Sequence, residues 1–358
     1  MRALVVREVG GTPRVEEVEP PPLGPGRVRV NVRAAGVCHS DLSMVNGTLT
    51  PPYPLVLGHE AAGVVAEVGD GVRRVAPGDH VVLNWAPPCR ECWHCGHGEP
   101  WLCDRSGGPA TPGGRTSSGE PLHVTLGLGA HAEQVVVPEP AVIPVPADLP
   151  FEAAALLGCA VLTGVGAVRR TTGVAPGDSV AVIGLGGVGL SAVSAARAAG
   201  ADPVIAVDVS PAKADLARAA GATDFLLGDE SLSRAIRGLT GGRGVDHALE
   251  CVGRSATIRA AWRAARRGGQ VIVVGMGSKD DVVGLSALDI FHSARTLRSS
   301  VYGSSDPDRD VPELARAVLD GTLDLAPLIS DRVTLDDAPA AFDRVARGEG
   351  ARTVVLFD

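Results

Sequence analysis

The chain lacks the features that mark several whole classes of protein. It has no excess of positive charge: 33 Lys and Arg stand against 41 Asp and Glu, a net charge of −8. That balance offers no basic footprint to nucleic acid or to an anionic membrane. No apolar run is long enough to span a bilayer, because the two longest low-charge stretches, around residues 153–168 and 180–196, are broken by glycines. The first ten residues, MRALVVREVG, alternate like a strand and carry no signal-peptide core, so a soluble, cytoplasmic protein is expected. There is no internal repeat and no low-complexity segment. The 46 glycines and 27 prolines follow no three-residue period, which excludes collagen and predicts many tight turns. Seven cysteines are an odd number for a disulfide framework, and a chain of 358 residues needs no staples.

What is present suits about two domains at roughly 150 residues each. A 45% apolar content supplies a sizeable core and rules out disorder. Up to about residue 150 short β runs alternate with Pro and Gly turns, at 27–32 (RVRVNV), 62–68 (AGVVAEV), 80–83 (HVVL) and 132–137 (AEQVVV). This reads as an antiparallel β region with long loops. From about residue 162 strands alternate with Ala-rich helices. Strands are expected at 179–183, 203–207, 225–227, 247–249, 270–274 and 297–301. Helices are expected at 188–199 and 211–220, the second with Ser210 as N-cap and Pro211 at its first position. That order predicts a doubly wound parallel sheet. The last fifty or so residues add a helix and a closing strand at 353–357. The fold class is α/β, with a mainly antiparallel domain at 1–160 and 302–358 and a parallel-sheet domain at 161–301.

Gly184-Leu185-Gly186-Gly187-Val188-Gly189 fits G-x-G-x-x-G between a strand and a helix, and Asp208 follows nineteen residues later at the end of the second strand. Gly184 makes the turn, Gly186 lets the backbone approach a pyrophosphate, and Gly189 allows close helix–strand packing; the helix N-terminus faces the anion. Asp208 accepts hydrogen bonds from both adenosine-ribose hydroxyls and repels a 2′-phosphate. Lys213 is the first cation after it, so NAD is favoured over NADP.

Cys89-x2-Cys92-x2-Cys95-x7-Cys103 places four thiols within fifteen residues. The spacing lets a tight loop, residues 85–104, wrap a tetrahedral Zn²⁺, and four Cys ligands leave no open position, so the site is structural. Disulfides, a redox pair and an Fe–S cluster are the alternatives. Trp93 and Trp101 are expected to pack this lobe.

Cys38, His59 and Cys159 are scattered, and each alone reads as a core residue. Together they carry a resemblance. Gly58-His59-Glu60-x2-Gly63-x5-Gly69-x2-Val72, with Cys38 upstream, resembles the signature of zinc-containing medium-chain alcohol dehydrogenases. The four-Cys lobe and the glycine turn follow in that family's order, over essentially the whole chain. The resemblance implies a GroES-like catalytic domain beside a Rossmann domain, two zinc ions per chain, and NAD-linked hydride transfer between an alcohol and an aldehyde. It implies that Cys38, His59 and Cys159 bind the catalytic zinc, with water or the substrate oxygen in the fourth position. Glu60 looks like the family's zinc-adjacent glutamate. Asp41 looks like the carboxylate that orients His59, the alternative being a plain helix N-terminal acid.

Other roles follow from the same resemblance. Ser40 resembles the residue that takes the alcohol proton, while Ser43 stands where much of the family continues the relay with histidine. His39 stands where arginine is common and is expected to meet the pyrophosphate. Thr163 and Val188 resemble nicotinamide buttresses, Lys213 an adenosine-ribose contact, and Arg352 a pyrophosphate clamp, with a solvated surface charge as its alternative. The implied pocket is Ser40, Leu49, Trp85, Leu102, Leu126 and Met276. Trp85 narrows it toward primary alcohols or aldehydes, and Gly108 and Thr125 widen its outer part. Residues 104–129 resemble the insertion of the liver-type branch, which implies a homodimer joined near residues 297–303. Three rivals remain: a thiol-adduct formaldehyde dehydrogenase, an enoyl or quinone reductase, and a non-enzymatic NAD- or zinc-binding protein. Against the first, Gly107 stands where the glutathione-using branch has arginine. Retention of the three scattered ligands argues against the second, and that ligand set beside Ser40 and Thr163 against the third.

Overall fold

Along Arg27–Val37, Val28, Val30, Val32 and Ala34 are buried while Arg27, Arg29, Asn31 and Arg33 are half-exposed. A period of two makes this a strand with one face on a core. The computed structural model describes every residue except Gly107 and Pro109. The chain divides into two units, Met1–Leu162 with Asp306–Asp358, and Thr163–Ser305.

The chain to Leu162 carries β1 (Arg2–Val6), β2 (Arg14–Glu19), β3 (Arg27–Val37), β4 (Leu55–Val56), β5 (Ala61–Val68), β6 (His80–Leu83), β7 (Ala110–Thr116), β8 (Pro121–Thr125), β9 (Gln134–Pro138) and β10 (Val142–Pro144). The second unit carries β11 (Val180–Ile183), β12 (Val204–Asp208), β13 (Asp224–Leu227), β14 (Val245–Glu250), β15 (Ala265–Val273) and β16 (Thr296–Ser299). The chain then returns to the first unit with β17 (Ile329–Val333) and β18 (Arg352–Leu356).

In the first unit β1-β2-β7-β8-β4 close a small barrel, and β10-β6-β5-β3-β18-β17 form a sheet in which β9 also pairs with β3. β17 joins β18 in parallel, and the other pairings of that sheet are antiparallel. Residues 104–129, which by sequence resemble an insertion, contribute the hairpin β7–β8. It seals the barrel by pairing β7 with β2 and β8 with β4. Pro112, Gly113 and Gly114 disguised β7, and the register slips between Pro112 and Gly114 to absorb them. Among the described residues three apolar clusters hold the unit together, one of them, with Val5, Val18 and Leu122, inside the barrel strands. A second is built on Val28, Val65, Leu83 and Val137, and a third on Leu4, Met44, Leu57 and Phe342.

The second unit is a six-stranded parallel sheet in the order β13-β12-β11-β14-β15-β16. β11 is buried at every residue, as befits a strand covered on both faces. The strand order reverses between β11 and β14, which is where such sheets bind ligands. Two elements differ from the sequence expectation. The helix foreseen at 211–220 is a 3-10 turn, Pro211–Lys213, leading into Ala214–Ala219. The strand foreseen at 297–301 stops at Ser299, because Tyr302 and Gly303 take positive φ (50° and 70°) and curl the chain. Among the described residues, no single helix is long and apolar enough to cross a membrane.

Candidate functional site

Cys38 follows β3 and leads into the short helix His39–Val45; His59 and Glu60 precede β5; Cys159 lies in the break after the helix Phe151–Leu157. These elements bring one ligand atom each from Cys38, His59 and Cys159 within 4.8 Å of one another, and all three residues are buried. Cys159 Sγ is 3.4 Å from His59 Nε2, and Ser40 Oγ is 3.8 Å from Cys38 Sγ. Asp41 lies in the first turn of its helix, yet its carboxylate accepts from Gly58 N–H (2.9 Å) and His59 Nδ1–H (3.1 Å). With Nδ1 engaged, the lone pair of His59 is on Nε2 and faces the sulfurs.

Arg352 and Glu60 complete this cluster. β18 pairs with β3 so that Thr353 stands opposite Val37, which carries Arg352 to the end of β3. Its guanidinium donates to Val37 O (3.2 Å) and stands 3.1 Å from Glu60 Oε2, with side chains only 6% and 0% exposed. Arg352 is therefore not a solvated surface charge. The sequence held no local sign of this pairing, which joins residues almost three hundred positions apart.

The electrostatics are those of a ligand set. Burial pushes the Glu60 carboxyl up to about 7, with Arg352 opposing it. Burial also disfavours a charged His59, but Asp41 and the Cys38 sulfur outweigh it and hold the imidazole well above its ordinary value. The hydrogen bond from Cys159 draws the Cys38 thiol well down, and the same bond, with burial, pushes Cys159 up. These are groups that surrender their protons to a metal. Two thiolates and one imidazole nitrogen suit Zn²⁺, and three protein donors are the number that leaves a tetrahedral ion one open position.

The second cluster differs in kind. Cys89, Cys92, Cys95 and Cys103 bring four sulfurs within 4.8 Å of one another. Backbone N–H groups point at them: Cys89 N–H and Arg105 N–H donate to Cys103 Sγ (3.2 and 3.4 Å), and Cys92 N–H donates to Cys89 Sγ (3.3 Å). Backbone donors lower the Cys89 and Cys92 thiols, whereas burial pushes Cys95 up to about 12. Sulfurs that accept from peptide groups fit a thiolate–zinc site, and four of them fill it. All seven cysteines, every one among the described residues, are free thiols, which excludes the disulfide alternative. Trp93 departs from the expected packing: it is 62% exposed and stacks on His97 with ring centroids 3.9 Å apart.

In the second unit the turn from Gly184 to Gly189 links β11 to the helix Gly187–Ala198. A Cβ on Gly189 would overlap the Gly184 carbonyl oxygen, so helix and strand approach as closely as the glycine pattern predicts. Asp208 ends β12, and its carboxylate accepts from Leu185 N–H (2.9 Å) and Ser210 N–H (3.0 Å), tying the turn to the second strand. Lys213 is nearly buried; burial lowers its ammonium, with Asp208 opposing. Gly186 is exposed, Val188 and Thr163 are half-exposed, and His39, in the first unit, is exposed.

The implied pocket residues are less gathered. Leu49 and Leu126 pack against the cluster of Leu4 and Phe342, with Leu126 at a φ of 49°, while Trp85 packs against that of Val28 and Leu83. Leu102 is 37% exposed, and Met276, on the second unit, is 55% exposed. Thr125 is fully buried and donates to Val56 O (2.9 Å). Gly107 lies outside the described residues.

Comparison with known proteins agrees with both units. Residues 24–147 match the alcohol dehydrogenase GroES-like domain, and residues 187–320 match the zinc-binding dehydrogenase family. An S-(hydroxymethyl)glutathione dehydrogenase of Escherichia coli O139:H28 is 36% identical over 368 aligned positions, covering 99% of each chain. A benzyl alcohol dehydrogenase from Acinetobacter calcoaceticus superposes with a TM-score of 0.92 at 28% identity, covering 100% of this chain and 99% of that one. An alcohol dehydrogenase zinc-binding domain protein from Burkholderia ambifaria superposes at 0.93 and 34% identity, covering 100% and 98%. With the two cysteine sites and the glycine turn in their places, the chain belongs to the zinc-containing medium-chain alcohol dehydrogenases, a family of oxidoreductases.

Proposed function

We propose that the protein is an NAD-linked dehydrogenase of primary alcohols, working reversibly with the aldehyde. The observation that carries this reading is the buried set Cys38, His59 and Cys159 with Ser40 beside it. Zn²⁺ held by that set supplies the Lewis acidity that lowers an alcohol's pKa toward about 7, and NAD supplies the hydride acceptor. The residues of the chain do the rest. Asp41 fixes the His59 tautomer. Arg352 compensates Glu60, so that a lone carboxylate does not face two thiolates. Ser40 receives the alcohol proton. Ser43 Oγ donates to His39 O (3.1 Å) within its own helix, so the proton leaves Ser40 through water rather than along a histidine relay. Asp208 and Lys213 take the adenosine ribose, and the carboxylate selects NAD. By the family pattern, His39 and Arg352 of the first unit would serve the pyrophosphate, and Thr163 and Val188 of the second would serve the nicotinamide. Leu49, Trp85, Leu102 and Leu126 form the apolar wall for a primary alcohol.

The molecule acts as a homodimer in the cytoplasm. Support for the dimer is the edge strand β16, exposed at all four residues, beside the helix Ala287–Ser293 with Leu288, Ile290 and Phe291 exposed. An unprotected edge with apolar neighbours is suited to pairing with a second copy. Support for the compartment is the number of free thiols, which a reducing environment preserves.

A second reading has one observation in its favour, the 36% identity to an S-(hydroxymethyl)glutathione dehydrogenase. NADH formation from primary, aromatic and secondary alcohols, and from formaldehyde with and without glutathione, separates the two. Turnover of simple primary alcohols supports the first reading. Turnover only with formaldehyde and the thiol together replaces it with the second.

A further inference from the structure

Glu250 ends β14 and is fully buried, far in sequence from every residue given a role above. Its Oε1 accepts from Val252 N–H (2.9 Å), Gly253 N–H (2.8 Å) and Thr257 Oγ–H (2.7 Å). Its backbone oxygen accepts from Val274 N–H (2.7 Å) and Gly275 N–H (2.9 Å). One residue thus holds both the turn after β14 and the turn after β15.

Those turns lie backbone on backbone. Gly253 has a φ of +83°, and a Cβ on it would overlap Met276, while a Cβ on Gly275 would overlap Gly253. The first glycine turn joins the same stack. A Cβ on Gly184 would overlap a methyl group of Val252, and Cys251 N–H donates to Ile183 O (2.8 Å). All three turns leave the carboxyl ends of β11, β14 and β15, at the reversal of strand order where a dinucleotide binds. Asp208 marks the β12 side for the adenosine half. By the two-fold plan of such sheets, the β14–β15 side takes the other mononucleotide.

We propose that Glu250 is a positioning residue for the nicotinamide half of the cofactor, an inference that rests on the NAD reading above. Its carboxylate sets the turn Cys251–Gly253, and through the close Gly253–Met276 approach that turn sets the surface on which the nicotinamide nucleotide rests. Without the acceptor, the buried N–H of Gly253 and the part-buried N–H of Val252 both lose their partner, and the turn must rearrange to satisfy them. The adenosine ribose is held at Asp208 at the end of β12, on the far side of β11 from this turn.

The test compares NADH with ADP-ribose, which lacks the nicotinamide. Both are titrated by calorimetry into the intact wild-type protein, Glu250→Ala and Glu250→Gln. Glu250→Ala is expected to raise the Kd for NADH by about 10- to 100-fold, the loss of one or two buried hydrogen bonds, with ADP-ribose changed by less than about 3-fold. Glu250→Gln keeps an acceptor oxygen and is expected to restore most of the NADH affinity. Equal weakening of both ligands, or no weakening of either, overturns the inference. Absence of NADH binding by the wild type overturns the NAD reading itself, a distinct result. Should Glu250→Ala not fold, Thr257→Val removes one of the three donors and leaves both peptide N–H groups paired. It is expected to weaken NADH a few-fold more than ADP-ribose, and an unchanged ratio overturns the inference.

Discussion

Replacing Asp41 by alanine removes one carboxylate that serves two buried donors, Gly58 N–H and His59 Nδ1–H. Asp41, Gly58 and His59 are all buried, so water does not take its place without rearrangement. Each orphaned donor costs about 1–3 kcal/mol, for a total of about 2–6 kcal/mol. In a unit of this size that lowers Tm by on the order of 10 °C. The second consequence is chemical. Without a partner at Nδ1 the His59 ring is free to turn and to change tautomer, and metal affinity at that site falls by about 10- to 100-fold. The assay is zinc per chain after graded dialysis against a chelator, with the four-cysteine site as internal standard. Asp41→Ala is expected to lose one zinc at chelator concentrations where the wild type keeps two. Asp41→Asn, which retains an acceptor oxygen, is expected to fall between them. If Asp41→Ala keeps both zinc ions and the wild-type Tm, the carboxylate does not orient His59 and the reasoning fails.

Three further outcomes follow from the same structure. Cys89→Ser is expected to bind one zinc and to become protease-sensitive within residues 85–104, because peptide N–H groups are aimed at sulfurs there rather than at a core; elemental analysis with limited proteolysis checks this. Arg90→Ala removes ion pairs to Asp306 and Asp308 that are 23–43% exposed, so it is expected to cost about 1 kcal/mol or less in urea unfolding, with both zinc ions retained. Burial lowers the Lys213 ammonium. Between that lowered value and the ordinary value near 10.5 the unfolded chain holds a proton that the folded chain has released, so stability rises with pH there. Lys213→Met is expected to abolish that rise, and urea midpoints at successive pH values read it directly.

The legibility of the molecule tracked sequence distance. The four-cysteine lobe and the glycine turn were readable because their chemistry is local: short spacings fix a metal loop, and a strand–turn–helix context fixes an anion site. Cys38, His59 and Cys159 were not readable one by one, since Cys159 joins only through a chain reversal 100 residues on; they were found through the family pattern. Arg352 was carried to Glu60 by the pairing of β18 with β3, which no local pattern announces. β7 was hidden by Pro112 and two glycines, residues that argue against a strand unless a bulge absorbs them. Glu250 escaped notice because its partners are mostly peptide groups of its own turn, and hydrogen bonds to backbone leave no signature in side-chain spacing.

The most direct measurement is zinc per chain by atomic emission, made on the wild type and on Cys38→Ser alongside NADH formation from a primary alcohol. Two zinc ions with NAD-linked turnover in the wild type, and one zinc with NAD binding but no turnover in Cys38→Ser, is the predicted result. Full activity in Cys38→Ser, or a wild type with two zinc ions that releases no NADH from any alcohol, would contradict the assignment of Cys38, His59 and Cys159 as the catalytic metal site of an NAD-linked alcohol dehydrogenase.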